Sequence, residues 1–273
     1  MHGCGNDYLF ATEPAVATGA VVRAACDRRH GLGADGLITI APDGGAIRMR
    51  IFNADGSDGG MCGNGARCAV RLAMDLGWTR GRESTLLVGD QTIAAERLSE
   101  AEVRLTLPPP RLELPEIPVS SAELDHLDRS GAEHRVGGLP AVFVNVGNPH
   151  LVSFRPGDPA SANLAAIGPR LETHRAFPER MNVHLARVDA RDAATVRSWE
   201  RGAGLTLACG TGALATVVAG VLTDRLDRAA TVRLPGGELK VEWLDPDGSL
   251  RLTGPTAVVY EAEWLPPSRA ALQ

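Results

Sequence analysis

The octapeptide MCGNGARC occupies residues 61–68, and a relative, ACGTGALA, occupies residues 208–215. Both read Cys-Gly-polar-Gly-Ala and both open an apolar run of helical period, with cysteines at Cys62 and Cys209. A thiol beside the first turn of a helix meets unpaired backbone N–H groups and the positive end of the helix dipole. That setting favours thiolate and can bring a cysteine pKa from about 8.5 into the neutral range. The same N–H groups cradle a carboxylate, and the glycines let a ligand approach the backbone. Two such motifs on facing helices would put one thiol on each side of a substrate α-carbon. One thiolate then removes the α-hydrogen while the opposite thiol gives a proton to the other face, which inverts the centre. This is racemase or epimerase chemistry without pyridoxal or metal, the carbanion being stabilised by the preorganised helix ends. Cys26 and Cys68 read as packing residues, Cys68 because it lies inside its helix, where the dipole has faded.

Composition narrows the alternatives. The 273 residues suffice for one large domain or two of ordinary size, and 44% hydrophobic residues suffice for a core. A net charge of −5 gives no general affinity for nucleic acid or an anionic membrane. Lys240 is the only lysine, on a hairpin strand, which argues against a covalently held pyridoxal cofactor. No window approaches the ~18 apolar residues of a membrane span. Five cysteines without an export signal suggest free thiols in a reducing cytoplasm. No ligand-pair spacing for zinc is present, so no metal and no cofactor are expected.

These motifs must be positioned by a mixed α+β chain. Residues 14–30 read as a helix with Pro14 near its start. HGLGADGL follows, with a formal G-x-G-x-x-G at Gly31, Gly33 and Gly36. A dinucleotide fingerprint needs a strand before it and a helix after it; here the order is reversed, so that reading fails. AIRMRIF (46–52) alternates as a half-buried strand and runs into the turn NADGSDGG. The helix after Cys62 has Gly77 as its stop. Residues 84–107 read as short strands, and PPPRLELPEIP (108–118) as an interdomain linker without regular structure. SSAE (120–123) has the signature of a capping box for a short helix. Strands follow in AVFVN, PHLVSF, MNVHLARV and TVRSWERG, then an all-apolar, buried helix over 212–222 and a closing meander. The expectation is two pseudo-symmetric domains, each of mainly antiparallel strands wrapped round a central helix, with the site in the cleft between them. Residues 1–110 plus 256–273 would carry Cys62, and residues 111–255 would carry Cys209.

The chain resembles the diaminopimelate epimerases, pyridoxal-independent epimerases with two cysteines. The resemblance rests on HGCGNDY (2–8), RHGLGADGL (29–37), FNADGS with MCGNGARC (52–68), VNVGNPH (144–150), FPERMNV (177–183), WERGAG (199–204) with ACGTGA (208–213), and LPGGEL (234–239), in that order. It implies conversion of LL- to meso-2,6-diaminopimelate, on the route to lysine and peptidoglycan, by a cytoplasmic homodimer. It implies Cys62 and Cys209 as the acid/base pair, with His150 and Glu200 as their polar neighbours in the catalytic set. It places Asn6, Gly63, Asn64, Gly210 and Thr211 at the reacting head of the substrate. Asn53, Asn148, Asn182, Glu200 and Arg201 would read the distal head, where Arg201 supplies a planar fork for a carboxylate. Each asparagine also suits a turn, Asn6, Asn64 and Asn148 being next to Gly, Asp or Pro.

Three positions depart from the family pattern. Leu205 stands where a Glu is usual, so a buried carboxylate near the second cysteine is expected to be missing. Cys4 replaces a Leu and adds a thiol near the site. The chain opens at the His-Gly motif, so most of the family's first strand is expected to be absent. Leu205 keeps open a racemase or epimerase for another amino acid in a secondary pathway. A non-catalytic amino-acid-binding or thiol redox protein is the alternative of another class, but binding alone needs no pair of thiols.

Overall fold

The computed structural model describes residues 1–13, 17–128 and 131–265. It divides into two compact units, residues 1–106 with 254–273, and residues 107–253. The first contains β1 (His2–Gly3), β2 (Asn6–Ala11), α1 (Gly19–Cys26), β3 (Gly36–Asp43), β4 (Ala46–Asn53), α2 (Gly63–Asp75), β5 (Glu83–Val88), β6 (Gln91–Arg97) and β7 (Glu102–Leu107). The second contains β8 (His134–Val136), β9 (Leu139–Asn145), β10 (Pro149–Phe154), α3 (Leu164–Glu172), β11 (Asn182–Ala190), β12 (Ala193–Glu200), β13 (Gly204–Thr206), α4 (Gly210–Leu222), β14 (Ala229–Leu234), β15 (Gly237–Trp243) and β16 (Leu250–Pro255). Among the described residues no helix is long and apolar enough to cross a membrane.

Each unit is one mixed sheet around one buried helix, and the pairing pattern repeats. In the first, β2 pairs parallel with β3, β3 antiparallel with β4, β4 parallel with β5, and β5, β6 and β7 form an antiparallel meander. In the second, β10 pairs parallel with β11, β11 antiparallel with β12, β12 parallel with β14, and β14, β15 and β16 form the meander. The helices fall in matching places: α1 and α3 carry the first parallel crossover of each unit, α2 and α4 the second. The α+β class and the internal repeat therefore hold. Antiparallel pairs are the majority in both units, as expected, and the parallel pairs fall where a helix joins neighbouring strands, the crossover that parallel pairing needs.

Both central helices end as their sequences dictate. Gly77, at φ +73°, stops α2 with its N–H on the Met74 carbonyl, and Trp78 N–H returns to the Ala73 carbonyl. In α4 every residue from Gly210 to Gly220 is buried. Full burial of each Leu or Val there contributes roughly 1.5–3 kcal/mol. α2 keeps an outer face, and its buried side includes Ala66, Ala69, Val70 and Ala73.

Four local expectations change. α1 starts at Gly19 with Thr18 as its cap, and Pro14 lies outside the described residues. SSAE forms a single 3-10 turn over Ser121–Glu123 without a side-chain cap. The segment 108–118 is no free linker: Arg111 exchanges both backbone hydrogen bonds with Asn145, and Ile117 is fully buried in the core of the second unit. Helix α3, capped by Asn163, was not anticipated. The glycine-rich loop behaves as read, with a helix before it and β3 after it. A Cβ on Gly31 would lie 2.1 Å from the Ala24 carbonyl oxygen, so its glycines serve close backbone packing.

Candidate active site

In the first unit, Cys62 is the N-cap of α2, in extended conformation, and its side chain makes no capping bond. Its sulfur lies 3.4 Å from Asn6 Oδ1, and Asn64 Nδ2 donates to the same oxygen at 3.4 Å. Asn6 is held in turn by donating to Asp35 Oδ2 at 2.7 Å. Gly63 and Asn64 form the buried first turn of α2. Asn53, at the exposed end of β4, donates to Ser57 Oγ at 2.9 Å and closes the 53–58 turn. Cys4 sits in the β1–β2 turn at φ +54° and is buried, and burial pushes its thiol up.

In the second unit, Cys209 is the N-cap of α4, and its sulfur accepts the Gly212 N–H at 3.3 Å with Thr211 Oγ1 at 3.6 Å. Glu200, at the end of β12, accepts from Thr206 Oγ1 at 2.5 Å and stands beside the Cys209 sulfur. Burial, followed by the Glu200 charge, pushes the Cys209 thiol well above the ordinary cysteine range. This corrects the expectation that a helix N-terminus makes both cysteines acidic: at Cys209 desolvation outweighs the dipole. It also corrects the reading of Leu205, which is exposed on β13 opposite Trp199. The carboxylate beside Cys209 is Glu200, and it is present.

Asn148, His150, Asn182 and Arg201 belong to one hydrogen-bonded group. Asn148 Oδ1 is 2.7 Å from His150 Nε2. Asn182 donates to the Pro149 carbonyl at 2.8 Å and accepts the Arg201 N–H at 2.9 Å. Its carboxamide is thus engaged with backbone at both ends. The exposed Arg201 side chain donates one N–H to the Glu179 carbonyl at 2.9 Å. The corner after it is held by Glu172, which accepts from Trp199 Nε1 and from Gly202 N–H. Of the residues expected from sequence, the structure brings Asn6, Cys62, Gly63 and Asn64 together. It likewise groups Glu200, Cys209, Gly210 and Thr211, and Asn148, His150, Asn182 and Arg201, while Asn53 is spent on its turn.

Three residues were not anticipated. Arg67 is wholly buried, one turn along α2 from Cys62, with Nη2 on Asn64 Oδ1 at 2.7 Å and Nη1 on the Gly63 carbonyl at 3.1 Å. His184 Nε2 lies 2.8 Å from His150 Nδ1, and His184 Nδ1 lies 2.9 Å from Ser198 Oγ. The His184 ring also fills the space over Gly212, where a Cβ would come within 2.3 Å of it. The signal was strand and helix period. His184 shares a face with Asn182, Ser198 with Glu200, and Arg67 stands at i+3 from Asn64.

His150 and His184 are buried and neutral: burial lowers both, to about 3 for His184, and the neighbouring imidazole and Arg201 add to the effect at His150. The folded state thus refuses protons that the unfolded chain accepts below the ordinary pKa of 6.5. Stability from these groups is complete above that value and falls as pH drops towards their folded pKa values. For His184 the loss by pH 5 is about 2 kcal/mol, and His150 adds a loss of the same sign. His134, lowered by burial, adds the same sign. The depressed carboxylates Asp7, Asp75 and Asp189 lose their contribution only at lower pH. Urea midpoints should therefore fall steadily from pH 7 to pH 5, and His184→Gln should flatten that slope. A midpoint constant over this interval would show that the imidazoles are not buried neutral.

Both the sequence and the fold have known relatives. The family model described as diaminopimelate epimerase matches residues 1–103 and 142–259. A diaminopimelate epimerase of Nostoc punctiforme is 42% identical over 269 residues, 95% of this chain and 96% of that protein. One from Desulforudis audaxviator is 41% identical over 280 residues, 97% of this chain and 98% of that protein. Among solved structures, a hydroxyproline epimerase from Agrobacterium vitis with bound trans-4-hydroxy-L-proline shares the fold at TM-score 0.62 and 15% identity, covering 93% of this chain and 86% of that one. A phenazine biosynthesis protein of the PhzF family from Bacillus anthracis does so at TM-score 0.54 and 15% identity, covering 82% of each chain.

Proposed function

The chain belongs to the diaminopimelate epimerase family, and from that membership we propose that it interconverts LL- and meso-2,6-diaminopimelate by two-base proton transfer between Cys62 and Cys209. The observation that carries this reading is the repeated arrangement of a thiol as N-cap of a buried helix, once in each unit. We read the two units as two half-domains, each contributing one thiol.

The chemistry follows from the local environments. Cys209 enters as the thiol, because burial and Glu200 hold its proton. Cys62 then serves as the base. It takes the α-hydrogen as a proton, the electron pair stays on the substrate carbon, and Cys209 delivers its proton to the opposite face. The thiols finish with exchanged protonation states, which are the starting states for the reverse reaction. The N–H groups of the first turns of α2 and α4 stabilise the carboxylate as negative charge develops on it. His150, neutral and bound to Asn148, cannot act as a resting cation. Its role is to orient the Asn148 carboxamide, whose N–H2 is left to meet a substrate acceptor. Asn182 supports Arg201, which takes the distal carboxylate. A cytoplasmic homodimer remains part of this proposal.

Incubation of the purified protein with LL-diaminopimelate in D2O tests the reading. Formation of the meso isomer should be accompanied by one deuterium at the inverted α-carbon, since the donating thiol exchanges with solvent. Inversion without deuterium, or no inversion, would remove the two-base assignment. The exposed position of Leu205 leaves no structural ground for preferring another amino acid.

A further inference from the structure

Arg67 is the largest fully buried side chain of the first unit, and it has no carboxylate partner among the described residues. Its hydrogen bonds go to two neutral oxygens, Asn64 Oδ1 and the Gly63 carbonyl, and its Nε has no partner. Gly3 of β1 closes over it: a Cβ there would lie 2.9 Å from Nη2. Burying a guanidinium costs several kcal/mol even after relaxation, and neutral acceptors do not cancel its charge. A site that retains such a cation has an anion to hold nearby.

The groups that feel the Arg67 charge are Cys4 in the β1–β2 turn and Cys62 and Cys68 on α2. Burial raises Cys4 and puts Cys68 at about 11, so both stay thiols at neutral pH. The other charges facing this cluster are the N-terminal ammonium of Met1, whose own pKa burial lowers, Arg71, which is engaged with Asp75, and the carboxylates of Asp7 and Asp35, both paired with Arg28. That leaves Cys62, the one thiol of the three that is not buried. Asn6 Oδ1 works in the other direction, since it accepts from S–H. It is a neutral dipole at 3.4 Å, whose field falls off faster than that of a full charge in a low-dielectric interior.

We propose that Arg67 is a positioning residue for the Cys62 half-site: it locks the Asn64 carboxamide with its N–H2 towards Asn6, and its uncompensated charge favours the Cys62 thiolate. The proposal rests on reading Cys62 as the base. It gives the two half-sites opposite electrostatics, a buried cation behind Cys62 and a carboxylate beside Cys209. An enzyme that needs one thiolate and one thiol at the same pH obtains both from that asymmetry.

The rate of iodoacetamide alkylation at Cys62, mapped by mass spectrometry across pH, tests this. Cys62 is the accessible thiol of the native protein, the other four being buried. In the wild-type protein the midpoint should lie below that of an ordinary cysteine, about 8.5. Arg67→Gln should raise it by about one unit or more, which is about ten-fold slower alkylation at pH 7. Arg67→Lys keeps the charge but loses the planar fork, so it should restore the midpoint while KM for diaminopimelate stays several-fold raised. A wild-type midpoint at or above 8.5 overturns the proposal even if no variant folds, and so does an unchanged midpoint in a folded Arg67→Gln. Full activity in Cys62→Ser would instead overturn the reading of Cys62 as the base.

Discussion

Cys62→Ser and Cys209→Ser are each expected to lose epimerisation by roughly 10²- to 10⁴-fold, the range that general acid–base groups contribute. A serine hydroxyl does not ionise near neutral pH, so it can neither carry off the α-proton as an alkoxide nor release one readily. The loss cannot be charged to misfolding. Both cysteines are N-caps, and serine is among the best N-cap residues: it is worth about 1 kcal/mol at position 62, where the thiol makes no capping bond, and at position 209 its hydroxyl can take over the Gly212 N–H that the sulfur accepts. The serine variants should therefore melt no lower than the parent. One base suffices for another reaction. A substrate analogue bearing a halide on the β-carbon needs only α-proton removal and halide departure. Each single variant should keep that elimination for the isomer whose proton faces its remaining thiol. Epimerisation at the wild-type rate in either variant, measured by optical change, would dismiss the pair as acid and base.

The sequence showed the paired motifs because chemistry and local structure coincide there: the glycines that admit a ligand also open a helix. α2 and α4 could be placed to within a residue or two, since an apolar run with a capping pattern specifies its own ends. Strand direction was less legible. Alternation reports which face is buried, not whether the neighbour runs parallel. Yet one connection held the answer, since a helix was already expected between the strands flanking α2. Applying the repeat consistently would also have supplied α3, whose place between β10 and β11 matches that of α1 between β2 and β3. The buried polar residues were hidden for a different reason. Arg67 and His184 look like surface residues in a residue-by-residue reading, and only tertiary packing against Gly3 and Gly212 puts them inside. The charge state of Cys209 was misread likewise, because the helix end is visible in sequence and the desolvation around it is not.

Arg201→Met should separate recognition of the distal head from the chemistry at the reacting carbon. The Arg201 backbone is pinned by Asn182 and the adjoining corner by Glu172, and its guanidinium is steered by the Glu179 carbonyl. No Asp or Glu of the described residues pairs with it, so its remaining N–H groups are available as a fork for a carboxylate. Removing that charge-assisted contact should cost roughly 2–4 kcal/mol, about 30- to 1000-fold in kcat/KM for diaminopimelate. Arg201→Lys should fall between, because an ammonium supplies the charge without the planar fork. The thiols and helix ends are untouched, so slow α-deuteration of a monocarboxylic amino acid should be nearly equal in parent and variant. Lysine is the sharpest comparison: it keeps the distal amine and lacks only the carboxylate, and the parent enzyme should discriminate against it by about the factor that Arg201→Met loses. If the parent instead turns over lysine efficiently, or if Arg201→Met slows both substrates equally, Arg201 does not read the distal carboxylate. The specificity must then come from the asparagines that line the same corner.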